Sequence, residues 1–261
     1  MSVWGLIIAA GRGSRLGNRT AETPKTLIQV SQQPLLWYVL HGLSRAGIAR
    51  CVVVVGYRHE QIEARLPSLT PRGMEITTVY NALWERPNGL SVQSAEHFMS
   101  GCTRFVLHMS DHLVDPRAVH HVVEVGRAPS LLVDSSPGQE CDLVDATRVW
   151  VEEGFVARIG KHLEPFNAID TGVFMLDHSV FPTLEEAAHG GDESLTGGMR
   201  ILASQGRLGA VLLPSGARWH DVDTAEDMVS AERILAQGWS YAWATASMAS
   251  DPPQGGLHGF P

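Results

Sequence analysis

The stretch Ala9-Ala10-Gly11-Arg12-Gly13-Ser14-Arg15 follows an apolar run and precedes a Pro24-Lys25 pair. Glycines behind a buried strand bring backbone N–H groups close to an anion, most often a phosphate. The arginines and Lys25 suit the same ligand, a guanidinium as a planar fork and an ammonium as a point charge. Two common phosphate loops fail on spacing. No Lys-Ser/Thr pair follows Gly11, Gly13 or Gly17, and Leu16 stands where a Gly-x-Gly-x-x-Gly turn needs its third glycine. The polar stretch up to Lys25 does not read as helix. The loop is therefore a phosphate cradle of a third kind, or a tight turn with solvated arginines.

A second set of reactive side chains is acidic. Asp111 closes the run Arg104–Asp111, and Asp221 and Asp223 follow a strand expected over 208–214. Carboxylates from distant segments, each at a strand's carboxyl end, can converge on one Mg²⁺, a hard cation that prefers oxygen ligands. Of the later pair we favour Asp223, in the context Val-Asp-Thr-x-x-Asp ahead of the last helix. The competing role for these residues is to cap that helix, through Thr224 or Asp223. His112 and His220 adjoin the acids, but no i,i+4 histidine pair or cysteine partner argues for zinc.

The elements that would position these groups alternate. Residues 3–9 read as a buried strand, 34–46 as an amphipathic helix with Pro34 in its first turn, and 51–56 as a β-branched central strand. A short helix is expected at 58–66, a strand at 75–80, a helix at 90–99 and the Asp111 strand at 104–111. Beyond about residue 130 the texture changes to a hairpin over 147–160, a strand at 169–177, helices at 178–188 and 193–205, the strand at 208–214 and a helix at 224–236. This predicts an α/β fold with a doubly wound, mixed but mostly parallel sheet and a smaller β subdomain. Ligands should sit at the strands' carboxyl ends. Residues 1–240 would form this unit, and 241–261, rich in Pro and Gly, a loosely packed tail.

Composition excludes several classes. The chain has 261 residues, 44% of them apolar, and a formal charge of −8, which argues against nucleic acid or an anionic membrane as partner. No run approaches the roughly 20 apolar residues of a membrane span. Cys51, Cys102 and Cys141 lack metal-type spacing and read as free thiols of a reducing compartment, hence a cytoplasmic protein.

LIIAAGRGSRLG with PKTLIQV resembles the nucleotidyltransferase signature of sugar-nucleotide pyrophosphorylases and small-alcohol cytidylyltransferases. The likeness continues through SDH at 110–112, IGKHL at 159–163, IDTGVF at 169–174 and WHDVDTAEDM at 219–228. The later motifs are most similar to inositol-1-phosphate cytidylyltransferases. The resemblance implies a Rossmann-like, GT-A-like fold and transfer of CMP from CTP to a phosphorylated polyol. Catalysis would fall to Arg15 and Lys25, and Mg²⁺ to Asp111 and Asp223. Ala9, Ala10, Gly11, Arg12, Gly13, Ser14, Asn88, Gly89 and Ser110 would bind the nucleotide. Lys161 and Asp170 would hold the acceptor, with Asp142 and Asp145 as weaker candidates. The alternatives are a phosphonate cytidylyltransferase, a hexose-1-phosphate nucleotidyltransferase, or a non-catalytic regulatory relative; the last generally lacks the loop arginine or the metal acids that stand here. A homodimer is an assembly to test.

Overall fold

The computed structural model describes residues 3–137 and 145–237, so Cys141, Asp142 and the segment 241–261 lie outside the described residues. In chain order the elements are β1 (Val3–Ala9), β2 (Gln29–Val30), β3 (Gln33–Pro34), α1 (Leu35–Arg45), β4 (Arg50–Val55), α2 (His59–Leu69), β5 (Glu75–Tyr80), α3 (Gly89–Ser94), β6 (Arg104–Met109) and β7 (His112–Val114). They continue with α4 (Pro116–Val125), β8 (Ser130–Asp134), β9 (Arg148–Glu152), β10 (Phe155–Gly160), β11 (Ala168–Leu176), α5 (Val180–His189), α6 (Leu195–Ser204), β12 (Gly209–Leu212), β13 (Trp219–Asp221) and α7 (Ala225–Ala236).

Nine strands form one mixed sheet in the order β5-β4-β1-β6-β11-β8-β12-β10-β9. β5, β4, β1 and β6 run parallel, and the apolar runs of β4, β1 and β6 are buried because helices cover both faces, whereas β5 lies at the edge with only Val79 buried. Alternation along β1 divides the core. Ile7 and Ala9 join Leu36, Leu40, Val119 and Ala231 from α1, α4 and α7, whereas Leu6 and Ile8 join Val92, Val180 and Leu202 from α3, α5 and α6. β11 runs antiparallel to β6, with Val173 opposite His108. Its first residues therefore lie at the edge where β6 ends, which carries Asp170 toward Asp111.

The smaller β unit expected from the sequence is the β9–β10 hairpin, and it continues the same sheet. β10 pairs with β12 at Phe155 and Gly209, and β9 returns to β11 at Val149 and Ala168. Glu153 and Gly154 turn it with φ of 50° and 82°, the left-handed pair that suits the twist of a two-residue hairpin loop.

Several local expectations shift. The stretch before Lys25 contains a short 3-10 turn at Ser14–Thr20, broken at Gly17, and a second begins at Lys25 itself (Lys25–Leu27). The helix expected over 90–99 ends at Ser94 and resumes as a 3-10 turn, and α2 runs three residues beyond its expected end to Leu69. Pro34 caps α1 instead of lying in its first turn. β6 stops at Met109, so Asp111 lies in the turn after the strand. The sequence reading passed over α4, β8 and the β7–β13 ribbon. The ribbon has the largest consequence, because it sets Asp221 opposite His112. Among the described residues, no helix is long and apolar enough to cross a membrane.

Candidate active site

The glycine loop leaves the carboxyl end of β1, an interior strand, and folds over Lys25. Gly13 has φ of 72°, and a Cβ there would lie 2.5 Å from the Cβ of Lys25. Both the left-handed backbone and the contact require glycine. Thr20 Oγ donates to the Gly13 carbonyl at 2.9 Å, closing the loop from behind. Lys25 is thereby confined to a side-chain exposure of 7%, with Nζ donating to Asp111 Oδ2 at 2.7 Å and to Asp223. Burial alone would favour the neutral amine. Asp111, Asp221 and Asp223 outweigh it, so the ammonium is held well above its usual range.

The acids differ in what occupies them. Asp223 is engaged by Lys25 on one oxygen and by Arg15 at 2.5 Å on the other. Asp111 Oδ1 and Asp221 Oδ1 are buried without a hydrogen-bond partner. Burial works against the Asp111 carboxylate, but Lys25 and His112 overcome it and hold its pKa well below the ordinary range. Burial also pushes Asp221 up to about 7, with Asp111 adding to the rise and His112 opposing it. His112 Nδ1 bonds the Thr171 carbonyl at 2.8 Å, and its Nε2 lies 3.7 Å from both Asp111 Oδ1 and Asp221 Oδ1. Burial opposes the imidazolium, yet the two acids raise its pKa. Asp111, His112 and Asp221 each offer a ligand atom within 4.8 Å of the others. Two unpartnered carboxylate oxygens suit a hard divalent cation.

Helix capping falls to Thr224. Its hydroxyl accepts from Asp227 N, and the Asp227 carboxylate accepts from the backbone of Thr224 at 2.7 Å and of Asp223 at 3.0 Å. That capping box fixes the turn carrying Asp223, and leaves the Asp223 side chain to the cleft.

Residues 5–208 match the family described as the MobA-like NTP transferase domain. The chain belongs to this family. A bifunctional IPC transferase and DIPP synthase from Aquifex aeolicus (strain VF5) is 34% identical over 233 residues, covering 89% of this chain and 51% of that protein. The protein of the same description from Rubrobacter xylanophilus is 34% identical over 236 residues, covering 90% and 52%. The chain thus spans about half the length of these curated relatives. The solved inositol-1-phosphate CTP transferase from T. maritima superimposes with a TM-score of 0.79 at 26% identity, over 91% of this chain and 97% of that one. A UDP-glucose pyrophosphorylase complexed with UDP-glucose gives 0.76 at 18% identity over 91% and 99%, a likeness of fold.

A cleft of about 250 Å³ runs from Arg15, Asn88, Asp111 and Asp221 to Asp145, Lys161 and Asp170. Asp145 bridges the two ends, accepting from Arg15 on one oxygen and from Lys161 at 2.6 Å on the other. Asp170 accepts from Gly172 N at 2.7 Å, and burial pushes its pKa up to about 6 against the pull of that bond and of His112. Gly172 has φ of 76°, and a Cβ there would lie 2.4 Å from His112 Nδ1, so the glycine keeps the imidazole in place.

Other anticipated nucleotide residues serve partly as scaffold. Ala9, Ala10 and Ser110 are buried, Ser110 N donates to the Ile8 carbonyl, and Gly11, Arg12 and Ser14 are exposed on the loop. Asn88 lines the cleft while its Oδ1 accepts from Leu195 N, tying α3 to α6. Gly89 is buried where a Cβ would meet the Glu193 carbonyl at 2.4 Å, so packing demands glycine there. Sequence reasoning missed Trp219, stacked on His112 at 5.8 Å, and Thr196 in the cleft wall. It also set His112 aside as a zinc ligand for lack of an i,i+4 histidine or a cysteine, and did not anticipate that the ribbon brings Asp221 beside it together with Asp111.

Proposed function

We propose that the chain is a divalent-metal-dependent cytidylyltransferase, transferring CMP from CTP to the phosphate of a small polyol, inositol 1-phosphate first among them. The observation that carries this reading is an alternating line of charge across one cleft: Asp111, Lys25, Asp223, Arg15, Asp145 and Lys161. It supplies a cation for the nucleotide's phosphates at one end and for an acceptor phosphate at the other. The names of the relatives support the choice of CTP and of an inositol phosphate.

In the reaction an oxygen of the acceptor phosphate bonds the α-phosphorus, the bond to the β-phosphate oxygen breaks, and pyrophosphate leaves. The acceptor phosphate is already ionised, so no general base is required. The barrier is chiefly repulsion between anions, and positioning with charge neutralisation lowers it. Arg15 forks onto the β/γ-phosphates. Lys25, held below the loop by Asp111 and Asp223, neutralises charge as the α-phosphorus becomes five-coordinate. Lys161 holds the acceptor phosphate, and Asp170 accepts from ring hydroxyls. Mg²⁺, when bound, supplies electrostatic stabilisation of the phosphate oxygens. Asp111 and Asp221 would hold it, each offering a buried Oδ1 without a hydrogen-bond partner, while both oxygens of Asp223 are engaged by Lys25 and Arg15. This moves the second acid from Asp223, favoured on sequence context, to Asp221. Buried thiols at Cys51 and Cys102 fit a reducing cytoplasm.

Pyrophosphate release should be measured for each common nucleoside triphosphate against a panel of phosphorylated alcohols. CTP with inositol 1-phosphate should give the highest kcat/KM. A higher value for 2-hydroxyethylphosphonate or a hexose 1-phosphate would overturn the polyol assignment.

A further inference from the structure

The turn between β4 and α2, Gly56-Tyr57-Arg58, has no part in the reading above, yet it grips the phosphate loop at both ends. Tyr57 N donates to the Ala10 carbonyl at 2.9 Å, where the loop begins. The Tyr57 hydroxyl donates to the Ala21 carbonyl at 2.7 Å, just past the first 3-10 turn. Arg58 reaches the same carbonyl at 3.1 Å, and Gln61 Nε2 donates to the Glu22 carbonyl at 2.8 Å. The Arg12 guanidinium lies 5.5 Å from the centroid of the Tyr57 ring.

The turn is built at some conformational cost. Arg58 has φ of 49°, in the left-handed region that large side chains seldom enter. At Gly56 a Cβ would lie 2.7 Å from the Ala10 carbonyl oxygen, so the backbone of this turn sits directly against the loop's first residue. A connection serving only to start α2 needs no side-chain bonds to residues 21 and 22. A loop containing Gly11, Gly13 and Gly17 has much backbone freedom to lose when it closes on a ligand, and ordering it beforehand lowers that cost.

We propose that Tyr57 is a positioning residue for nucleotide binding. Its N–H and hydroxyl fix the two ends of residues 11–20, and its ring stations Arg12 beside the loop for the terminal phosphates of the triphosphate. This rests on the nucleotidyl-transfer reading and assigns its nucleotide site a support that the loop sequence does not contain.

The test uses the full chain with Tyr57→Phe, Tyr57→Leu and Arg12→Ala, alone and combined. KM is measured separately for CTP and inositol 1-phosphate, with the affinity for inorganic pyrophosphate in the presence of Mg²⁺. Tyr57→Phe removes the hydroxyl that donates to Ala21 and accepts from Arg58 Nε, and should raise the nucleotide KM about threefold to tenfold, leaving the acceptor KM within about twofold. Tyr57→Leu should weaken pyrophosphate further, and that extra loss should vanish in the Arg12→Ala background, because the ring acts through Arg12. A merely structural tyrosine would lower Tm and move both KM values together, which overturns the proposal. So does a ring effect that persists without Arg12. If the parent binds pyrophosphate and turns over CTP while every Tyr57 variant matches it, only this proposal falls. If the parent neither binds pyrophosphate nor uses any nucleoside triphosphate, the transfer reading falls first and takes the proposal with it.

Discussion

Lys25 and Lys161 carry the same ammonium, one beneath the glycine loop and the other on the wall of the cleft, in surroundings that differ in almost every respect. Lys25 is 7% exposed, roofed by Gly13 and held between Asp111 and Asp223. Lys161 is 52% exposed and shares Asp145 with Arg15. Exposed ion pairs are worth about 0–1 kcal/mol, whereas removing one partner of a buried pair costs several times more, because the other charge is left desolvated. The Lys25 end is therefore a fixed device whose charges depend on one another. The Lys161 end is adjustable, and on the proposed reading its pairs are weak enough for a substrate phosphate to displace.

The largest test of that contrast is Lys25→Ala. It should lower kcat by about 10²-fold or more, with a smaller change in nucleotide KM, since the interaction strengthens in the transition state. It should also depress Tm by several degrees, because Asp111 and Asp223 lose their shared cation. A variant that melted like the parent and changed only KM would make Lys25 as adjustable as Lys161.

Next come the acids. Asp111→Asn should lower kcat by about 10²-fold, and EDTA should abolish turnover in the parent. Asp221→Asn should raise the Mg²⁺ concentration needed for half-maximal rate more than Asp223→Asn does. The reverse order, read from Mg²⁺ titrations of the two variants, would return the second metal role to Asp223.

At the acceptor end, Lys161→Ala should raise the acceptor KM about tenfold, the loss of one charge-assisted hydrogen bond, and leave the CTP KM nearly unchanged. A rise in the CTP KM of the same size would erase the division between the two ends.

Asp145→Asn should have the smallest effect. Its pairs to Arg15 and Lys161 are half exposed, so Tm should stay within about a degree and either KM within about threefold. A loss of activity comparable to that of Asp111→Asn would show that Asp145 is as indispensable as the buried acids.

Much of the molecule was legible in the chain because its signals are local. The β-branched run is one case: Cys51–Val55 could only be a strand buried on both faces, and it lies within the parallel half, between β1 and β5. The helix over 35–45 was equally plain from its apolar face. β8 and α4 were passed over although β8 has an apolar middle and α4 an apolar face, and β7 and β13, of three residues each, are too short to carry any periodicity.

The residue types for the chemistry were legible in the sequence as glycines that free a backbone and acids near the ends of apolar runs, and the resemblance to nucleotidyltransferases added the Pro-Lys at its place. Which acid meets which cation was not legible there. Asp221 and Asp223 are two residues apart and alike in sequence, yet the β7–β13 pairing turns one toward His112 and Asp111 while the capping box turns the other toward Lys25 and Arg15. Tyr57 likewise reads as an ordinary turn residue until α2 and the loop are packed together. Local pattern is written by neighbours in the chain, within reach of 2.0- and 3.6-residue periods. Charge pairing across 86 or 198 positions depends on how the sheet is ordered, and no local pattern encodes that.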